Sequence, residues 1–134
     1  MMNKKKLAIL GCTGSIGTQA LQVVRHLGNY QVCALTANRN IDLLEQQARE
    51  FQVPMVAVGQ EELANELRLR LQDTNTQVLS GPGGIVDCAA HSGADLVLNS
   101  IFGIAGLVPT HEALQQGIDI ALANKETLVA GGDI

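Results

Sequence analysis

The chain alternates short, continuous apolar runs with longer stretches in which apolar residues recur every three or four positions. Short apolar runs bounded by turn residues predict strands buried on both faces. The wider spacing predicts helices with one apolar face. Residues 7–10 form the first strand by this reading. Ile16, Ala20, Val23, Val24 and Leu27 then mark a helix, with Gly28 where a left-handed cap is expected. Residues 30–36 predict a second strand, and Ala37-Asn38-Arg39-Asn40 the turn after it. Asn40 is placed to cap a helix that carries Leu43, Leu44, Ala48 and Phe51. Pro54 breaks that pattern before a third strand at 55–58. Leu63, Leu67 and Leu71 follow at fourfold spacing, an apolar stripe on an otherwise charged helix.

Residues 77–79 predict a fourth strand, and Ser80-Gly81-Pro82-Gly83-Gly84 a glycine-rich turn. A helix is expected from Ile85 through Val86, Cys88 and Ala89, ending at Gly93. Leu96, Val97 and Leu98 are the buried run of a fifth strand at 95–99. After a turn at 100–103, the next helical stretch is expected to be interrupted at Pro109, to resume at Thr110 and to stop at Gly117. Residues 118–123 give a sixth strand, and Asn124-Lys125-Glu126 a polar turn. Such alternation with short turns predicts an α/β fold, a doubly wound parallel sheet with helices on both faces. Right-handed crossovers collect the turns at 11–17, 37–40, 80–84, 100–103 and 124–126 on one edge, where such sheets bind ligands.

The turn at 11–17 carries the most specific local signal. Gly11, Gly14 and Gly17 recur at intervals of three, between a strand and a helix. This G-x-x-G-x-x-G spacing is a variant of the dinucleotide fingerprint, in which small residues let a phosphate approach the helix N-terminus. No Gly-Lys-Ser/Thr closes the loop, which disfavours a P-loop. Thr13 and Ser15 are each placed to hydrogen-bond a phosphate, to cap the helix, or to do both.

Composition narrows the partners. At 134 residues, 46% of them apolar, one domain with a real core is expected. A net charge of −4 offers no basic face for nucleic acid, and one Tyr, two Phe and no Trp offer few platforms for base stacking. No apolar run reaches membrane-spanning length. Cys12, Cys33 and Cys88 are odd in number and scattered, as expected of small buried residues in a reducing, cytoplasmic setting.

The end of the second strand selects the cofactor. NAD sites usually place an acid there to bond the ribose hydroxyls. This chain has Arg39 instead, and its nearest acid, Asp42, falls inside the next helix as a first-turn charge. A guanidinium suits a 2′-phosphate, so NADP is expected over NAD.

Four segments together resemble the 1-deoxy-D-xylulose 5-phosphate reductoisomerase family: residues 11–17, residues 34–40, Gly106-Leu107-Val108-Pro109-Thr110, and residues 121–129 with their Leu-Ala-Asn-Lys-Glu run. The resemblance runs from about Lys5 to the last residue. It implies a Rossmann-like NADPH-binding domain over 1–134, with catalytic and C-terminal domains beyond the chain. It further implies a homodimeric enzyme of the methylerythritol phosphate route to isoprenoids, which rearranges a sugar phosphate and then reduces it. By resemblance, Thr13, Gly14, Ser15 and Ile16 hold the cofactor pyrophosphate, and Asn38, Arg39 and Asn40 its 2′-phosphate end. Asn124 and Glu126 contact the cofactor nearer the nicotinamide, and Lys125 the substrate. By its neighbours alone, Lys125 is as readily a surface partner of Glu126. Cys12 stands where a serine is expected and is read as neutral, being small.

The family's divalent metal, magnesium or manganese, is implied to bind an Asp/Ser/Glu cluster beyond residue 134. His26, His91 and His111 lack a carboxylate or cysteine at ligand spacing and read as surface or capping residues. Two other readings stay open at this level. One is an NADP-dependent dehydrogenase of the aspartate-semialdehyde dehydrogenase type; the other is an NADPH-binding or sensing module without catalysis.

Overall fold

A computed structural model describes residues 4–101 and 103–122. The strands are β1 (Lys5–Leu10), β2 (Tyr30–Ala37), β3 (Met55–Val58), β4 (Gln77–Ser80), β5 (Leu96–Asn99) and β6 (Asp119–Leu122). The helices between them are α1 (Ser15–Leu27), α2 (Ile41–Phe51), α3 (Glu61–Arg70), α4 (Gly81–Ala90) and α5 (Ile104–Gln115). All strand pairs are parallel, in the order β4-β3-β2-β1-β5-β6. The predicted α/β architecture is therefore the observed one.

Alternate residues of β1 build the two cores. Leu7 and Ile9 pack with Leu21 and Val24 of α1, Leu44 of α2 and Leu67 of α3. Ala8 and Leu10 pack on the opposite face with Cys88 and Ala89 of α4 and Ala113 of α5. The α4 face is lined by small residues (Ala8, Cys33, Ala34 and Ala57), which let that helix lie close to the strands. Gly84 extends the same logic, since a Cβ there would come within 2.9 Å of the Leu79 side chain. Burying a leucine such as Leu35, fully enclosed here, contributes roughly 2 kcal/mol.

Three details differ from the sequence expectation. Pro109 does not interrupt its helix: α5 runs unbroken through it, and the ring is buried. Next to it the Gly106 carbonyl accepts from the Thr110 hydroxyl at 2.7 Å and from Asn99 Nδ2 at 3.3 Å. These bonds hold the turn on either side of the proline, where one main-chain donor is missing. The turn at 80–84 is absorbed into α4, which starts at Gly81 directly after β4, with Pro82 in its first turn. On α1 the buried face is Gly17, Ala20, Leu21 and Val24, whereas Val23 and Leu27 are exposed. They border an open apolar groove with Leu96 and Leu98 of β5 and Ala121 of β6.

Local signals in the sequence otherwise hold. Gly28 caps α1 in the left-handed region at φ 70°, and Asn40 caps α2 by accepting the Leu43 N–H at 3.1 Å. Arg25 on α1 pairs with Glu50 on α2 at 2.5 Å and lies over the Phe51 ring, joining the two helices.

Candidate functional site

The strand order reverses beside β1. From β1 the chain turns into α1 on one face of the sheet, and from β5 into α5 on the other. The loops after these adjacent strands diverge, which opens a crevice at their carboxyl ends. The glycine loop sits there. Its start is tied down from several sides: the Gly11 and Cys12 N–H groups both donate to the Thr36 carbonyl of β2, at 3.0 and 2.8 Å. From β5, the Ser100 hydroxyl donates toward the Leu10 and Gly11 carbonyls at 2.6 and 3.0 Å.

The three glycines serve different ends. Gly11 adopts φ +80°, and a Cβ on it would meet Ser100 Oγ at 2.7 Å. On Gly17 a Cβ would lie 2.4 Å from the Gly11 carbonyl oxygen and 2.6 Å from Cys12 Cα, so this glycine lets α1 rest on its own loop. Gly14 is different. Its backbone is ordinary at φ −77°, it is exposed, and a Cβ would meet only the Gly11 carbonyl at 3.7 Å. Nothing within the described protein requires Gly14 to be small.

Gly14 is also the N-cap of α1, and no side chain caps the helix there. Neither Thr13 nor Ser15 serves as the cap that the sequence allowed. The main-chain donors of the first turn are left facing outward beside exposed Gly14 and Ser15, with Ile16 half-buried against the core. An uncapped helix start with open space before it has the donor set an anion requires.

The second expected cluster lies one strand away. Asn38, Arg39 and Asn40 follow β2 and are all exposed. Four of the five arginines, Arg25, Arg49, Arg68 and Arg70, are paired with carboxylates; Arg39 makes no ion pair among the described residues. Asp42, the nearest acid, is engaged by Arg70 of α3 at 2.5 Å. Asn40 spends its Oδ1 on the helix cap, which leaves Nδ2 to donate. The Gly59 N–H holds the Asn38 carbonyl at 3.1 Å, and a Cβ on Gly59 would reach Asn38 Oδ1 at 2.7 Å. The structure thus brings both clusters to one edge of the sheet. Asn124, Lys125 and Glu126 lie outside the described residues.

Sequence reasoning missed the groups that support this edge: Thr36, Ser100, Gly59 and Gln47. Gln47 is a polar residue within the apolar stripe of α2, 6% exposed, whose Nε2 donates to the Cys12 carbonyl at 3.0 Å. Its position between Leu44 and Ala48 was the available signal. Cys12 and Cys88 are fully buried and Cys33 nearly so, and burial pushes the Cys12 and Cys88 thiols up.

Comparison with known proteins decides the family. The description "1-deoxy-D-xylulose 5-phosphate reductoisomerase" belongs to the family whose sequence profile matches residues 7–132. The chain belongs to that family. A reductoisomerase from Bacillus thuringiensis subsp. konkukian is 52% identical over 131 residues, covering 97% of this chain and 34% of the relative. One from Halothermothrix orenii is 48% identical over 132 residues, covering 98% and 34%. The solved reductoisomerase from Zymomonas mobilis in complex with NADPH superposes with a TM-score of 0.85 at 37% identity, covering 97% of this chain and 34% of that one. Another, solved with NADPH, fosmidomycin and magnesium, gives 0.84 at 38% identity, over 93% and 31%. The chain therefore spans about a third of the length of the reductoisomerases it matches.

Other features do not compete with the crevice. A cavity of about 540 Å³ lies at the opposite edge, where β3 and β4 begin, lined in part by Arg49, Pro54, Asp73 and Thr76. Its charged groups, Arg49 and Asp73, already pair with each other at 2.9 Å. Among the described residues no three His, Cys, Asp or Glu side chains converge as a metal-binding group would. No helix among them is long and apolar enough to cross a membrane.

Proposed function

We propose that this chain is the NADPH-binding part of a reductoisomerase that converts 1-deoxy-D-xylulose 5-phosphate to 2-C-methyl-D-erythritol 4-phosphate. Thr13, Gly14, Ser15 and Ile16 bind the pyrophosphate through the open first turn of α1. Asn38, Arg39 and Asn40 bind the adenosine 2′-phosphate, Arg39 as a bidentate fork and Asn40 through Nδ2. Asn124 and Glu126 reach the cofactor near the nicotinamide, and Lys125 the sugar-phosphate substrate. The full-length enzyme is read as a cytoplasmic homodimer in isoprenoid biosynthesis. Its magnesium or manganese ligands are assigned outside 1–134. The cofactor, once bound, supplies the hydride. What the described residues contribute is orientation, with the pyrophosphate and the 2′-phosphate of the cofactor held at different loops and the nicotinamide directed toward the crevice between β1 and β5.

The observation that carries this reading is Arg39, exposed at the ligand edge and, among the described residues, without the carboxylate partner that every other arginine has. The superposition on a reductoisomerase solved with NADPH supports it. Replacing Arg39 with Ala removes a charge-assisted contact worth about 1.5–3 kcal/mol, which corresponds to a roughly 10- to 150-fold loss of affinity. Calorimetric titration is expected to show that loss for NADPH and no change for NADH. Equal NADPH affinity in Arg39→Ala and the unaltered chain would overturn the assignment.

A further inference from the structure

The peptide bond between Cys12 and Thr13 is held from behind by one side chain. Gln47 Nε2 reaches from α2 to the Cys12 carbonyl at 3.0 Å, and both residues are buried. The other end of the same amide is unsatisfied: Gln47 Oε1 is buried and accepts no hydrogen bond from the described residues. An unmet buried acceptor is unfavourable, and an apolar residue of the same size at 47 would avoid it. The position nevertheless carries a donor, on a helix face otherwise occupied by Leu44, Ala48 and Ile41.

What the donor achieves follows from the planarity of the peptide. The carbonyl oxygen and the next N–H of a trans peptide point in opposite directions. No peptide bond among the described residues is cis. Drawing the Cys12 carbonyl toward α2 therefore turns the Thr13 N–H away from α2. That N–H finds no acceptor among the described residues. The preceding two N–H groups, of Gly11 and Cys12, are both consumed by Thr36, so Thr13 is the first donor of the loop left for a ligand.

We infer that Gln47 is a positioning residue for the cofactor: it fixes the Cys12–Thr13 peptide plane so that the Thr13 N–H donates to the NADPH pyrophosphate. This rests on the cofactor reading given above. Gln47 touches no ligand itself and acts through the loop. The orphaned Oε1 is tolerated because the opposite end of the amide sets the loop's direction.

The test uses Gln47→Met and Gln47→Leu in the 134-residue chain, two variants that keep the volume and remove the donor. NADPH affinity is expected to fall about tenfold, the size of one hydrogen-bond contribution. Binding of adenosine 2′-monophosphate, which lacks the pyrophosphate, is expected to stay within twofold. In ¹⁵N-edited spectra the Thr13 amide is expected to shift on NADPH addition in the unaltered chain and not in the variants. NADPH affinity within twofold in either folded variant would overturn the inference. So would an equal loss for both probes, which marks general loosening of the domain. If the unaltered chain binds adenosine 2′-monophosphate but not NADPH, the inference fails while the 2′-phosphate site stands; if it binds neither, the cofactor reading itself fails.

Discussion

Residues 11–17 and 81–84 are both glycine-rich, both follow a strand at the same edge of the sheet, and both open a helix. Their surroundings separate them. β1 is central and flanked by β2 and β5, where the strand order reverses, whereas β4 is an edge strand. Neither helix start has a side-chain cap, but among the described residues no acid is bonded at the α1 start. At the α4 start, Ser80 donates to Glu61, and that bond, with Arg68 behind it, holds the Glu61 carboxyl below its usual range. A fixed carboxylate there repels phosphate. Gly84 is a packing glycine against Leu79 and Ala57, just as Gly17 is against the Gly11–Cys12 backbone. Glycine content thus reports close approach in both segments. Topology and charge decide which of them faces an anion.

The sharpest way to break this comparison is to place a methyl on each packing glycine. In Gly17→Ala the new Cβ meets backbone atoms at 2.4–2.8 Å, which cannot yield as a side chain does. A loss of about 3 kcal/mol in urea denaturation is expected, with NADPH binding abolished. In Gly84→Ala the nearest contacts are Leu79 Cβ at 2.9 Å and its carbonyl carbon at 3.1 Å. About 1–2 kcal/mol should be lost there, with NADPH affinity unchanged. Loss of cofactor binding in both would show that the two segments do not differ in the way described.

A subtler pair separates stability from binding. Gly14→Asp supplies the missing helix cap and a favourable charge at the helix start, so thermal stability should rise by up to about 1 kcal/mol. The same carboxylate repels pyrophosphate, and NADPH affinity should fall by at least about tenfold. Gly83→Asp in the first turn of α4 should leave cofactor affinity untouched. Unchanged NADPH affinity in Gly14→Asp would remove the first segment's special standing.

Acid titration gives the smallest effect. The carboxyls of Glu50, Glu61 and Asp73 are held low, by Arg25, by Ser80 with Arg68, and by Arg49 respectively. A carboxyl lowered on folding adds stability above its unfolded pKa of about 4, and that stability disappears as pH falls through the lower folded value. The melting temperature should therefore be flat from about pH 8 to 5.5 and decline below about pH 4. Since all three groups are exposed, the decline from these pairs is shallow. A fall already at pH 6 would point to other groups.

Much of this was legible because the relevant signals are local. The buried run of residues 7–10, the cap at Asn40 and the left-handed Gly28 each depend on neighbours within a few residues. The family resemblance likewise rests on short contiguous segments. Signals that depend on packing across the fold were not legible. Pro109 reads as a break until Asn99 and Thr110 are seen bonding the Gly106 carbonyl beside it. Val23 and Leu27 carry helical spacing, but only the sheet order shows that they border an open groove. Gln47 interrupts the apolar stripe of α2, but what its amide bonds is visible only once α2 is docked against the loop. Ser100 is 89 residues from the Gly11 carbonyl that it bonds, a separation no sequence window spans.

The Arg25–Glu50 clamp has a further consequence. It ties the helix that begins at the proposed pyrophosphate loop to the helix that begins at the proposed 2′-phosphate loop. With Gln47 and Thr36 bridging the same two regions, the spacing of the two proposed sites is held by the protein's own contacts. Cofactor binding at these two proposed sites is then expected to order little of the described chain, so that the entropic cost of association falls mainly on the cofactor. Such a preorganised site discriminates by length: a dinucleotide whose phosphates do not match the fixed span gains from one site or the other, but not from both.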